Sequence, residues 1–425
     1  MNYQNNIDFA KQLDAEDPLR TFRDHFYIPQ HKGHDCTYFV GNSLGLQPKT
    51  TSSYIQQELD DWAALGVEGH FAAKNPWVSY HEIFPRQLAA ILGCLPTEVV
   101  VMNQLTVNLH LLLVSFYQPT KKRYKIICEA KAFPSDQYAL ESQAKFHGFD
   151  PKDAIIEVAP RAGEHTLRTE DILSVIAGHG ESVALVLFGA VNYYTGQFFE
   201  LEKITKAAHA VGAYAGFDLA HAAGNVALSL HDWDIDFACW CSYKYLNSGP
   251  GGVAGAYIHE KHASNTSLKR FAGWWGHNKE ARFKMEKGFE AIPTAEGWQV
   301  SNAPVLSMAA HKASLDIFEE AGMENLFAKS KNLTAYLFFI LNEINEKRPT
   351  QSIELITPCD EFARGCQVSM LMLEKGRDVF NALSAEGVMA DWREPNVIRI
   401  APVPLYNSFE DVWRFGNIMS DILDQ

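Results

Sequence analysis

Two side chains in this sequence have both the type and the spacing for covalent chemistry. Asp218 closes the apolar run AYAGFD, and Lys244 follows the run DFACWCSY 26 residues later. Each comes at the carboxyl end of a strand-like segment, which is the edge of an open α/β sheet where ligands bind. Desolvation at such a place disfavours the charged form of a lysine, leaving an amine able to form an imine with a carbonyl carbon. Taken alone, Lys244 reads as a solvated loop lysine and Asp218 as a capping residue. Their joint placement on successive strand ends favours chemistry, and His221 lies in the same turn, three residues after Asp218 in DLAHAAGN.

An amine for an imine and a carboxylate for a ring nitrogen are the two demands of pyridoxal phosphate, whose protonated pyridine stabilises carbanions. Its phosphate needs donors. NQLTVNLHLLL offers a helix start at which Leu105 and Thr106 present backbone N–H groups and a hydroxyl, although capping alone would also explain Thr106. Gly249, Gly251, Gly252 and Gly255 have no following Gly-Lys-Ser/Thr and no strand–GxGxxG–helix context. They read as a tight turn into a strand, which argues against a nucleotide loop and against a nicotinamide dehydrogenase. Asp232, Asp234 and Asp236 imitate the start of a calcium loop, but its sixth position is Phe237 and its twelfth Tyr243, so no metal is expected.

The elements that would position these residues follow from hydrophobic patterning. Between about Thr97 and Tyr257, the runs KIICEA, VALVLFGA, AYAGFDLA, DFACWCSY and GGVAGAYI read as strands. Helical stretches NLHLLLVSFY, YALESQAKFHGF and LEKITKAAHAVG separate several of them. The alternation predicts an α/β fold with a mostly parallel sheet covered on both faces. Beyond about Val305 the pattern changes to long amphipathic helices, then the strand-like IELITP, GCQVSMLML and VIRIAPVP among the helices DVFNALSAEG and FEDVWRFGNIMSDIL. The expected organisation is a large domain over 60–305 and a smaller α+β domain built from 1–59 and 306–425.

A chain of 425 residues, 47 % apolar, can bury a large core. Its 37 basic and 51 acidic residues give a net charge of −14, which disfavours nonspecific contact with nucleic acid or anionic membranes and fits a small-molecule substrate. No apolar run approaches a membrane span, and the opening MNYQNNIDFAKQLDAEDPLR has no basic patch before an apolar stretch, so a cytoplasmic protein is expected. The seven cysteines Cys36, Cys94, Cys128, Cys239, Cys241, Cys359 and Cys366 form an odd set with no Cys-x-x-Cys pair and read as reduced, mostly buried thiols.

The segments GNSLGLQPK, MNQLTVNLHLLL, EAKAFPSDQYA, GFDLAHAAGN, DFACWCSYKYLN and IRIAPVPLYNSF together resemble the kynureninases, in order and along nearly the whole chain. The resemblance implies a fold-type-I pyridoxal-phosphate enzyme, a homodimer with shared active sites, that hydrolyses L-kynurenine to anthranilate and L-alanine in tryptophan degradation. It further implies that Lys244 forms the imine, that Asp218 and His221 lie beneath the cofactor, and that Leu105, Thr106, Phe133, Pro134, Ser135 and Asp136 contact it. Phe133 would stack on the pyridine ring. Tyr243 matches a phosphate-contacting tyrosine and a proton shuttle, while Trp274 and Asn302 match residues reaching in from the partner subunit. Arg399 matches the arginine that grips the substrate α-carboxylate, for which its bidentate fork is suited. His70 matches a residue near the substrate's aromatic ring, and Ser43, a further candidate for substrate binding, lies in the matched GNSLG loop. His70 and Asn302 lean toward acceptance of 3-hydroxykynurenine, since both can hydrogen-bond a ring hydroxyl.

One departure from the animal pattern is LFGAVNYYTGQ, which has Gly189 where that pattern has a serine near the cofactor. Two rival readings remain at this stage. A cysteine desulfurase would share the Asp-x-x-His and the lysine but needs a mobile nucleophilic cysteine, for which Cys359 and Cys366 are the late-chain candidates. A catalytically silent protein on the same fold would be expected to have lost Lys244 or Asp218, and both are present.

Overall fold

A computed structural model describes residues 2–265 and 267–425. Its principal sheet contains β1 (Val99–Val101), β2 (Lys125–Glu129), β3 (Ile155–Val158), β4 (Val183–Gly189), β5 (Tyr214–Asp218), β6 (Phe237–Trp240) and β7 (Gly255–Ile258). They lie in the order β1-β7-β6-β5-β4-β2-β3. Pairing is parallel from β6 through β5, β4 and β2 to β3, whereas β7 runs antiparallel to both β6 and β1. The strands at the centre are buried along almost their whole length, as VALVLFG illustrates. Such continuous apolar runs are what a parallel sheet with both faces covered requires.

The helices used below are α1 (Ile7–Glu16), α2 (Thr51–Leu65), α3 (Leu105–Phe116), α4 (Pro134–Phe146), α5 (Leu201–Ala210), α6 (Val305–Ala321), α7 (Met323–Glu346) and α8 (Phe409–Leu423). α4 connects β2 to β3, and α5 connects β4 to β5. In α5, Leu201, Ile204, Thr205 and Ala208 are buried, a spacing that places them on one helical face against the sheet. α3 buries Leu109, Leu112, Leu113 and Phe116 on the opposite side, where they meet Phe237 and Leu185.

Two strands of the principal sheet have no counterpart in the sequence reading. Val99–Val101 and Ile155–Val158 are too short to establish a period, and both lie at the sheet's ends, where pairing rather than pattern creates them. Two expected runs are shortened. DFACWCSY is strand only to Trp240, and GGVAGAYI only from Gly255, so that 241–254 turns across the strand ends and carries Tyr243 and Lys244 with it. Gly251, at φ 63°, takes a left-handed conformation inside that turn.

A second sheet comprises β8 (Ile353–Leu355), β9 (Val368–Met372), β10 (Asp391–Arg393) and β11 (Val397–Ile400), antiparallel in the order β8-β9-β11-β10. Leu333, Leu337 and Leu341 of α7, Val412, Phe415 and Met419 of α8, and Ala10 and Leu13 of α1 share its core. A capping box of Ser408 and Asp411 starts α8, and Asp14 at the end of α1 accepts from the amides of Phe409 and Glu410. α6 faces the other way, burying Met308, Leu315, Ile317 and Phe318 in the principal core beside Leu19, Phe22 and Phe26 of the N-terminal segment. Among the described residues, no helix is long and apolar enough to cross a membrane.

Gly216, two residues before Asp218 in β5, has the Phe237 ring against it; a Cβ there would stand 2.1 Å from Phe237 Cζ. Replacing Gly216 with Ala is therefore expected to cost about 1–3 kcal/mol through overpacking. The measurement is the urea midpoint of unfolding at constant m, and an unchanged midpoint would show that the Phe237 ring moves freely.

Candidate active site

β2, β4 and β5 end in Glu129, Gly189 and Asp218, and a cavity of about 170 Å³ opens beyond these three residues. Parallel pairing sets Gly189 directly beside Asp218. At one wall α3 begins. Its N-cap, Gln104, makes no side-chain cap and sends its amide to the carbonyl of Gly251, at 3.0 Å. The first-turn N–H groups, at Leu105, Thr106 and Val107, have no partner within the helix and are left for an anion. Leu105 and Thr106 both line the cavity.

Opposite them, Lys244 Nζ lies 3.1 Å from His221 Nε2 and 5.7 Å from the centre of the Phe133 ring. Burial, the lysine charge and the cations of Arg399 and Arg393 hold the His221 imidazole well below its ordinary pKa. A neutral His221 accepts from Lys244 through Nε2, and its Nδ1 is buried without a partner. Asp218 accepts from the amide of Ala220 at 2.7 Å. Its carboxyl is raised by burial, a shift that the Lys244 charge and the Ala220 amide partly reverse.

Two more carboxyl groups are buried here. Asp136, in the first turn of α4, is pushed well above the usual range by burial and then by Asp218, with which it shares a hydrogen bond. Glu129 is raised to about 8 by burial and then by the Asp218 charge. Tyr243 is raised too, by burial first and then by Cys241, and keeps its proton at neutral pH.

Of the residues expected from the sequence, Leu105, Thr106, Phe133, Ser135, Asp136, Asp218, His221, Tyr243 and Lys244 surround this one cavity, together with Gly189. Pro134 stands at the start of α4, just outside the lining. His70 and Asn302 line a second cavity of about 180 Å³, with Glu58, Trp77 and Trp275. Trp274 lines neither; it is exposed and donates to the carbonyl of Arg282. Ser43 is exposed, although its loop reaches the site through Gly45, whose amide donates to the Tyr243 carbonyl at 2.8 Å. Arg399 is 1 % exposed and does not line the Lys244 cavity. Its guanidinium pairs with Asp391 and donates to the Tyr193 carbonyl. Glu129, Tyr193 and Cys241 line the cavity without having been singled out from the sequence. Glu129 closes the run KIICE as Asp218 closes AYAGFD, so the strand-end rule that found one would have found the other.

The three loop aspartates diverge. Asp232 accepts from Ser229, Asp234 pairs with Lys261, and Asp236 holds His209 and His262, each at 2.8 Å.

The architecture is that of the fold-type-I pyridoxal-phosphate enzymes. A cystine C–S lyase solved with cysteine persulfide matches it with a TM-score of 0.76 at 18 % identity, over 91 % of this chain and 97 % of that one. The Escherichia coli cysteine desulfurase CsdA matches with a TM-score of 0.73 at 17 % identity, over 99 % of both chains. At such identities the likeness is one of fold. Sequence is more specific, since residues 326–419 match the family model of the kynureninase C-terminal domain. The chain is 57 % identical to a Flavobacterium psychrophilum kynureninase over 419 residues, covering 99 % of this chain and 98 % of the relative. It is 51 % identical to a Nematostella vectensis kynureninase over 432 residues, covering 97 % and 93 %. The chain belongs to the kynureninase family.

Neither cysteine of the desulfurase reading lines the cavity. Cys366 is buried, and Cys359 lies exposed in a loop whose carbonyls are held by Arg364.

The shared proton of Asp136 and Asp218 has a consequence for the cofactor-free protein. A carboxyl whose folded pKa is raised contributes stability that is fully present below its unfolded value, 3.8 for an aspartate, and lost as pH rises through the folded value. Asp136→Asn removes that loss. The variant without cofactor is expected to melt higher than the parent at neutral pH, with the difference shrinking below pH 4. Equal melting temperatures at neutral pH would show that Asp136 costs nothing there.

Proposed function

We propose that the Lys244 cavity binds pyridoxal phosphate and that the chain hydrolyses L-kynurenine to anthranilate and L-alanine, with acceptance of the 3-hydroxylated substrate. The observation that carries this reading is the convergence of one amine, one strand-end carboxylate and one uncapped helix start on a single cavity. The donor set fits the group. The α3 amides and the Thr106 hydroxyl suit a phosphate, Asp218 a ring nitrogen, and the Phe133 face a flat ring. Bound there, the cofactor supplies an aldehyde carbon for amines and a protonated pyridine as electron sink.

The protein's own groups then divide the work. Asp218 keeps the ring nitrogen protonated, and the cation it gains answers the crowding of carboxyls around it. Lys244 anchors the cofactor covalently and, once released, takes and returns the proton at the substrate α-carbon. His221, neutral, accepts from Lys244 and holds Nζ in place. Tyr243 keeps its proton and is a donor toward the phosphate or the γ-carbonyl oxygen of the substrate. Arg399 serves the substrate α-carboxylate by exchanging Asp391 for it. Lys244→Ala should abolish formation of anthranilate and alanine and prevent reductive trapping of the cofactor on the protein. Normal steady-state hydrolysis by that variant would overturn the scheme.

A homodimer with shared sites is part of the same proposal. Trp62, Phe71, Trp274 and Leu306 are all more than 40 % exposed. Trp62 and Leu306 line the second cavity beside His70 and Asn302, an apolar surface of the kind that a partner covers. In this reading the second cavity of one protomer completes the Lys244 cavity of the other. A two-unit division, 60–305 against 1–59 with 306–425, fits the two sheets, with α6 as the link anchored in the larger core. A cytoplasmic location agrees with seven unpaired cysteines. Lys244→Ala protein and His70→Ala/Asn302→Ala protein, each inactive or nearly so, should regain activity when dissociated and reassociated together. A monomer in sedimentation, or no recovery on mixing, would refute shared sites.

A further inference from the structure

Glu129 is the one acid of the cavity to which no part has yet been given. It is 2 % exposed and lines the cavity. Its Oε2 is buried with no hydrogen-bond partner. The residue beside it is Gly189, at the position where the animal pattern has a serine. A Cβ built on Gly189 would lie 3.2 Å from Glu129 Oε1 and 3.8 Å from its Cδ, so the carboxyl stands where a side chain at 189 would point. The amide of Gly189 and the side chain of Asn192 approach the same carboxyl and partly offset the rise that burial imposes on it. A neutral carboxylic acid is a donor through one oxygen and an acceptor through the other.

We propose that Glu129 is a cofactor-binding residue that acts as a neutral acid: its protonated carboxyl hydrogen-bonds to the bound pyridoxal phosphate, in place of the hydroxyl that Gly189 lacks. This rests on the cofactor reading above. A buried acid without a cation of its own is cheapest when protonated. Burial and the Asp218 charge raise Glu129 to about 8, which leaves it largely protonated at neutral pH. The other titratable groups on the cavity are Asp136, Tyr193, Asp218, His221, Cys241, Tyr243 and Lys244. The Lys244 charge is turned toward His221 and Asp218, and Asp136 shares its hydrogen bond with Asp218, so neither supplies Glu129 with a partner.

The test is equilibrium binding of pyridoxal phosphate to cofactor-stripped protein, followed by visible absorbance and dialysis. Parent protein that shows no saturable binding would sink the cofactor reading and this one with it. Given binding, Glu129→Ala should weaken it about tenfold, the worth of a lost buried hydrogen bond. Glu129→Gln keeps a donor and an acceptor at the same places without a titratable proton. It should bind as the parent does at neutral pH and keep that affinity as pH rises through 8, while the parent loses affinity. Gly189→Ser added to Glu129→Ala places a hydroxyl in the space vacated and should restore most of the loss. Parental affinity in Glu129→Ala, the same alkaline loss in Glu129→Gln as in the parent, or no recovery in the double variant would each overturn the role assigned to Glu129.

Discussion

Three carboxyl groups, one amine and one imidazole crowd the buried ends of the strands, and they cannot all be charged. Lys244 stands close enough to favour one anion, and Asp218 takes that role with help from the Ala220 amide. Asp136 and Glu129 are left to hold protons, and His221 is left to lose its own. A low-dielectric pocket of this kind stores polarity that a cationic ring nitrogen and a dianionic phosphate can use. The cost is carried by the apolar packing around the strand ends, where Phe188, Phe217 and Trp240 are fully buried.

The parallel sheet makes this concentration of charge tolerable. β2, β4 and β5 lie side by side and end at the same level, so their last residues face a common crevice while everything behind them is hydrocarbon. Helices α3 and α4 return to the same edge with their N-termini, adding unpaired amides where negative charge is wanted. Glycine at 189 leaves the room into which the Glu129 carboxyl fits.

The second sheet is tied to this crevice through a few buried polar contacts. Asn225 donates to the His221 carbonyl at 2.8 Å and accepts from the Cys366 amide at 2.9 Å, and Gly365 lies so close that a Cβ would collide with the Asn225 amide. Gln367 at the start of β9 donates to the Tyr193 carbonyl, which also receives Arg399 from β11. The turn after β5 and the loop after β4 are therefore held by the smaller sheet. The position of that sheet therefore bears on where both His221 and Arg399 stand.

The local chemistry of the chain was legible in its residues. Continuous apolar runs gave away β2, β4 and β5, because strands buried on both faces need no alternation to be recognised. Asp218 and Lys244 stood out because a charged residue ending such a run is expensive without a purpose, and Glu129 met the same criterion in KIICE unrecognised. The run FEDVWRFGNIMSDIL is helix from its first residue to its last, since its Ser408 cap is local. What depended on contacts remote in sequence was not legible: the short strands β1 and β3, the sharing of one proton between Asp136 and Asp218, the pairing of Arg399 with Asp391, and the separation of His70 and Asn302 from Lys244. The sequence by itself marked Asp218 and Lys244 as candidates for the chemistry, through type and strand-end position. Tertiary structure decided their protonation and their partners, because both depend on burial and on distances between segments that only the folded chain brings together.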